Sequence, residues 1–176
     1  YIDPETISMF EEETGIKVIY DEFETNEIMY PKVETGASEY DVICPSDYMI
    51  SKMIENDLLS ELNFDNMPNA KANIGEQYWE QSKGFDPENK YSVPYCWGTV
   101  GILYNPARLE ELGVEPPTTW ADLWDERLSG EILMQDSVRD AFMVALKKDG
   151  FSMNSTSEEE LQQAKQALID QKPLVQ

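Results

Sequence analysis

Histidine is missing from this sequence altogether. Its absence removes the usual base of a nucleophilic triad and the commonest zinc ligand. Cysteine is nearly missing, with Cys44 and Cys96 the two in 176 residues. Two cysteines without spaced partners make no zinc site, nor can they build the disulfide framework of a small secreted domain. Both lie in apolar stretches, which predicts buried free thiols. A single disulfide is the alternative, and spacing alone does not place their Cβ atoms. Basic residues are few: 13 Lys plus Arg stand against 35 Asp plus Glu, a formal charge of -22. A nucleic acid or an anionic membrane surface would be repelled by that field, whereas cations would be drawn in at long range. Solubility alone would also account for the charge. No apolar run approaches the roughly 20 residues of a membrane span, and no basic-then-apolar signal segment opens the chain.

Several chemistries are absent as motifs. There is no phosphate-binding glycine loop and no G-x-G-x-x-G behind a strand. The segment "NFDNMPNAKANIGE" lacks the spacing of a calcium loop. Paired carboxylates could serve a glycosidase, but with 35 acids a pair picked by eye carries no information. No cofactor or metal is expected, and nothing points to an enzyme. A small acidic hydrolase is kept as the reading from another class.

What is present is an alternation of helices and strands. "DPETISMFEEETG" opens with Asp3 as N-cap and Pro4 at the first helical position, and Gly15 suits the C-cap. "IKVIY" (16–20) follows as a β-branched strand. "TNEIMYPKVET" (25–35) has helical spacing, with Pro31 predicted to kink or break it. "YDVIC" (40–44) is the next strand, and "SDYMISKMIENDLL" the next helix. Residues 60–89 are rich in Asn, Asp, Pro and Gly, which predicts connecting structure with one short helix near Gln77–Gln81. "YSVPYCWGTVGILYN" (91–105) is the longest β-like run, and Gly98 and Gly101 mark a place where it bends. Beyond it come a helix in "NPARLEELG", a segment "PPTTWADLWDERLSG" with Thr119 as N-cap and Trp120, Leu123 and Trp124 on one face, and a strand "EILMQ" (131–135). Two helices close the chain, one capped by Asp136 and one by Ser157. This order predicts an α/β fold with a mainly parallel sheet in two lobes, residues 1–98 and 99–176. Tyr1 stands just before a helix signal and "PLVQ" just after another, which predicts a piece of a longer chain.

In open α/β sheets ligands bind beyond the carboxyl ends of the strands. Two stretches fit that rule: "PSDY" after Asp41–Cys44 and "QDSVRD" after Glu131–Gln135. A helix N-terminus by itself prefers an anion, so a cation there needs carboxylates. Asp47, Asp136 and Asp140 supply them, and Tyr48 adds a π-face and a phenol oxygen. Capping is the competing role for Ser46, Asp47 and Asp136. Asp140, one turn further on, is either a solvated acid or a ligand group, and Arg139 beside it is able to neutralise it.

The combination of "ETGIKVIYDEFETNE", "VPYCWGT" and "DSVRDAF" resembles the periplasmic spermidine/putrescine-binding proteins, the PotD-type solute receptors of polyamine ABC importers. The resemblance runs along the whole chain. It implies a type II periplasmic-binding-protein-like fold, two α/β lobes with a hinge, here as the first lobe plus the start of the second. It also implies a polyamine ligand, membrane permease partners, a monomeric receptor, and a periplasmic or lipid-anchored location outside the cytoplasm. By resemblance Tyr1, Ser46, Tyr48 and Asp140 match pocket positions of the family, and Ser137 stands where a second acid is found. Asp47, Ser137 and Asp140 complete the candidate set. Another small ligand, an anion or a metal chelate, is the alternative within the same fold.

Overall fold

The computed structural model describes residues 2–176, and the expectation for Tyr1 lies outside the described residues. The chain divides into two compact units, Tyr1–Cys96 and Trp97–Gln176.

In the first unit, helix α1 (Pro4–Thr14) is bounded as its sequence predicts. The Asp3 side chain accepts from the Glu5 N–H, and Gly15 closes the helix at φ 71°, a left-handed conformation that glycine adopts without a Cβ clash. Helix α2 (Asn26–Glu34) runs unbroken through Pro31. Pro31 cannot donate to the Glu27 carbonyl, but burial holds the helix together: Met29 and Tyr30 pack against Met49 and Met53 of α3 (Asp47–Glu55). Phe23, Ile43, Leu58 and Leu59 close around this cluster. The segment expected to be mostly connecting structure is more helical than that. It holds a 3₁₀ turn (Phe64–Asn66), α4 (Pro68–Asn73) and α5 (Glu76–Ser82). Asn, Pro and Gly act there as caps and first-turn residues, not as breakers.

Behind α5 a single carboxylate organises the backbone. Asp86 is 1% exposed. It accepts from the N–H groups of Lys90, Tyr91 and Ser92 at 3.1, 2.9 and 2.9 Å and from the Ser92 hydroxyl at 2.9 Å. A buried carboxylate persists only with such donors. The turn it holds presents the Lys90 carbonyl to the Leu62 N–H at 2.8 Å.

The second unit has two clusters. Helices α7 (Val138–Lys148) and α8 (Glu158–Gln171) meet through Ala145, Leu146, Ala164 and Ala167, and the three alanines permit close approach. Trp124 covers this seam and donates its indole N–H to the Ala167 carbonyl at 2.8 Å. The buried Gln171 amide donates to the Leu123 carbonyl at 3.1 Å. The second cluster joins Leu109 of α6 (Pro106–Leu112) to Leu128, Ile132 and Leu174.

The four expected strands form no ladder among the described residues. One isolated parallel bridge, Ile132 to Val175, is present. Strand pairing needs a second edge within reach; residues 131–135 meet one only at Val175, and the other three runs have no ladder partner among the described residues. Several of their apolar side chains stand in solvent: Ile19 is 91%, Val42 86%, Leu103 98% and Leu133 78% exposed. The same lack of cover corrects the expectation for the cysteines. Cys44 and Cys96 are free, as expected, but exposed. Partial burial still pushes the Cys44 thiol up, and the nearby Cys96 adds to the shift.

Candidate functional site

In the first unit the expected "PSDY" segment meets a partner that was not expected. Thr25 caps α2 by accepting from the Ile28 N–H at 3.3 Å, which brings Asn26 and Glu27 into the first helical turn. These two residues bond directly to the start of α3. The Asn26 amide nitrogen donates to Ser46 Oγ and to the Tyr48 phenol oxygen, both at 3.0 Å. The Asn26 carbonyl oxygen accepts from the Ser46 N–H at 3.2 Å. The Tyr48 phenol donates to Glu27 Oε1 at 2.8 Å. Ser46 stands at the N-cap position of α3, yet its hydroxyl makes no capping bond, because Asn26 engages it. Asp47 instead covers the Tyr48 N–H with its own carboxylate at 2.7 Å. Sequence reasoning set "PSDY" beside "QDSVRD" and its own helix, and did not connect it to α2. Asn26 and Glu27 lie 20 and 21 residues upstream of their partners, and the one signal for them was "TNE" as a helix start.

In the second unit Ser137 caps α7 by accepting from the Asp140 N–H at 3.3 Å. The expectation that Asp136 would cap is therefore corrected by one position. Ser137 has the extended backbone of a cap (φ -140°, ψ 119°), which sets its oxygen over the N–H three residues on. With the cap supplied by Ser137, the half-buried Asp140 carboxylate carries no salt bridge among the described residues. Arg139, expected as its neutraliser, bonds the Met153 carbonyl at 3.0 Å and the Asn154 side chain.

Asp140 lines a concavity of about 750 Å³ in this unit, together with Tyr104, Trp120, Leu133 and Gln135. The basic groups on its rim are held by acids. Arg108 bridges Glu131 and Glu111, which drives the Glu131 carboxyl below its usual range and the guanidinium higher still. Arg127 does the same for Asp125. Asp122 is held low by the N–H groups of Thr119 and Thr118, which it accepts at 2.8 and 2.7 Å. Apart from Asp122, the lining carboxylates left without a salt bridge among the described residues are those of Asp140 and Glu115. Among the described residues no group of acidic, cysteine or histidine side chains is placed to hold a metal ion, and no helix is long and apolar enough to cross a membrane.

The chain belongs to a family of binding proteins, the bacterial extracellular solute-binding proteins, which residues 5–175 match. Within that family it is 38% identical over 167 residues to the spermidine/putrescine-binding periplasmic protein of Escherichia coli, an alignment covering 93% of this chain and 46% of that protein. Among solved structures it resembles the spermidine/putrescine ABC transporter substrate-binding protein PotD of Streptococcus pneumoniae (TM-score 0.73, 39% identity, 99% of this chain and 52% of that chain). It also resembles the TpPotD lipoprotein of Treponema pallidum (TM-score 0.84, 32% identity, 98% and 53%). The chain thus spans about half the length of the relatives it matches. The solute-receptor fold expected from the sequence is the fold of these neighbours.

Proposed function

We propose that this chain is the ligand-capturing part of an extracytoplasmic receptor that binds a polyamine, spermidine or putrescine, and passes it to the permease of an ABC importer. The relatives carry such names. In this reading the protein is a monomeric binder and not an enzyme, located in a periplasm or anchored by lipid to a cell surface. It takes no cofactor. Its ligand groups are Tyr1, Ser46, Asp47, Tyr48, Ser137 and Asp140.

One observation carries the chemistry. The Ser46–Tyr48 wall is built from hydroxyls, a phenol and carboxylates, tied together by Asn26 and Glu27. Such groups accept from ammonium ions. The anion reading is disfavoured at the same place. The N–H groups at the start of α3 would be its anchor, and Asp47 already occupies one of them.

Calorimetry with spermidine and putrescine tests the proposal, on this chain and on the gene product in full. The full product is expected to bind at micromolar or tighter affinity, with Tyr48→Ala and Asp140→Ala each weakening it. This chain alone is expected to bind weakly or not at all. Absence of binding by the full product to either polyamine overturns the reading.

A further inference from the structure

The hydrogen bonds at the Ser46–Tyr48 wall have directions that the chemistry fixes. The Ser46 backbone N–H is a donor only, so the Asn26 atom facing it at 3.2 Å is the carbonyl oxygen. That settles the Asn26 amide: its nitrogen faces the other way, toward Ser46 Oγ and Tyr48, and donates to both. An ionised Glu27 carboxylate is an acceptor only, so the Tyr48 proton points to it across 2.8 Å. The single phenolic proton is therefore committed inside the cluster. Toward a ligand Tyr48 has no proton to give. It offers an electron-rich oxygen and a π-face, which suit a hydrogen-bond donor and a positive charge.

We infer that Asn26 and Glu27 are specificity-determining positioning residues: by fixing Tyr48 as an acceptor, they make the Tyr48 end of the wall select protonated amines and reject carboxylate or carbonyl ends. The inference deepens the polyamine reading and rests on it for the ligand, but its hydrogen-bond content stands on the geometry alone. The mechanism of rejection is the one that makes hydrogen-bonding sites discriminating. An acceptor end brought against Tyr48 and Glu27 finds no donor there, and it meets a negative charge. Glu27 lies exposed, so its charge adds to the approach of a cation without a large desolvation cost. Neither residue needs to touch the ligand for this role.

The experiment compares 1,4-diaminobutane with 4-aminobutyrate, which replaces one ammonium end by a carboxylate, on the full gene product by calorimetry. Glu27→Ala frees the Tyr48 proton. It should lower diamine affinity about tenfold, the order of a charge-assisted hydrogen bond, and narrow the preference over aminobutyrate. Glu27→Asp should restore part of the preference, which a purely structural role would not. In a Tyr48→Phe background, Glu27→Ala should change the preference little, because the proton it controls is gone. An unchanged preference in Glu27→Ala with intact diamine binding overturns the inference and leaves the polyamine reading standing. Should the wild-type protein bind neither these compounds nor spermidine, the polyamine reading fails on its own, and a second measurement decides the hydrogen-bond claim. That measurement is the ¹³Cζ resonance of Tyr48 in tyrosine-labelled protein. A shift on Glu27→Ala and on Asn26→Ala supports the directed bonds, and an unmoved resonance in both refutes them.

Discussion

Replacing Asp86 by alanine should damage the first unit more than replacing almost any other of its acids. The side chain is 1% exposed and accepts four hydrogen bonds, three of them from consecutive backbone N–H groups. Alanine leaves those donors without a partner. A buried donor left unsatisfied costs about 1–3 kcal/mol. Residues 90–92 are only half buried, so water recovers part of that, and about 1 kcal/mol for each backbone donor is the appropriate end of the range. The total is about 3 kcal/mol, against a stability of about 5–15 kcal/mol for a domain of ordinary size. Trp79 is the tryptophan of this unit, and its carbonyl accepts from Asn89 inside the same turn at 3.0 Å. A fluorinated tryptophan at that position therefore reports the first unit separately from Trp97, Trp120 and Trp124 of the second. In urea, with a slope of about 2 kcal/mol/M, the midpoint should fall by about 1.5 M. Asp86→Asn keeps one acceptor oxygen and should lose about half as much. A midpoint for Asp86→Ala within about 0.3 M of wild type, at unchanged slope, would refute the claim that this carboxylate holds the 86–92 turn.

Two further outcomes follow from titrating groups. Asp122 has its carboxyl held below the ordinary 3.8 by the Thr119 and Thr118 N–H groups. A depressed folded value means the contribution is fully present above the unfolded value and is lost as pH falls through the folded one. Protection of the Thr118 and Thr119 amides, taken relative to the unstructured exchange rate at each pH, should therefore hold at pH 5 and fall once pH drops below the ordinary carboxylate range, and Asp122→Asn should remove that dependence. The raised thiol of Cys44 carries less thiolate at neutral pH than an ordinary cysteine. Its alkylation by iodoacetamide at pH 7.5 should be slower than that of a model thiol, with the gap closing as pH rises. Equal rates at pH 7.5 would contradict the shift.

The parts of the fold that could be read beforehand are the ones that local chemistry decides. Asp3, Pro4 and Gly15 bound α1 within hydrogen-bond reach of one another, so a short window of sequence contains the whole argument. Thr25, Asn105 and Ser157 work in the same way. Asp136 and Ser137 are both good caps, and which one acts depends on the backbone angle of the turn, hence the error of one residue. The β-like runs failed for a different reason. A strand is defined by its partner, and the identity of residues 16–20 or 40–44 says nothing about whether a neighbouring edge lies beside them. Pro31 misled because propensity counted its missing N–H, whereas burial of Met29 and Tyr30 decided. At the site, Ser46, Tyr48 and Asp140 were chosen by their place after a strand, but the groups that orient Tyr48 were hidden. One carboxylate among 35 acids is visible as a partner only when α2 and α3 are seen side by side, and Asp86 was hidden in the same way.

The exposed apolar residues Ile19, Val42, Leu103 and Leu133 also govern how this chain behaves in company. Exposed apolar segments of extended chain are adhesive, since each is a template for another like it. The charge of -22 opposes that adhesion, but only over the distance that dissolved ions allow. That distance is about 30 Å at 0.01 M ionic strength and about 8 Å at 0.15 M. Dilute buffer therefore keeps copies apart by repulsion, whereas salt shortens the reach of the field until the sticky runs can touch.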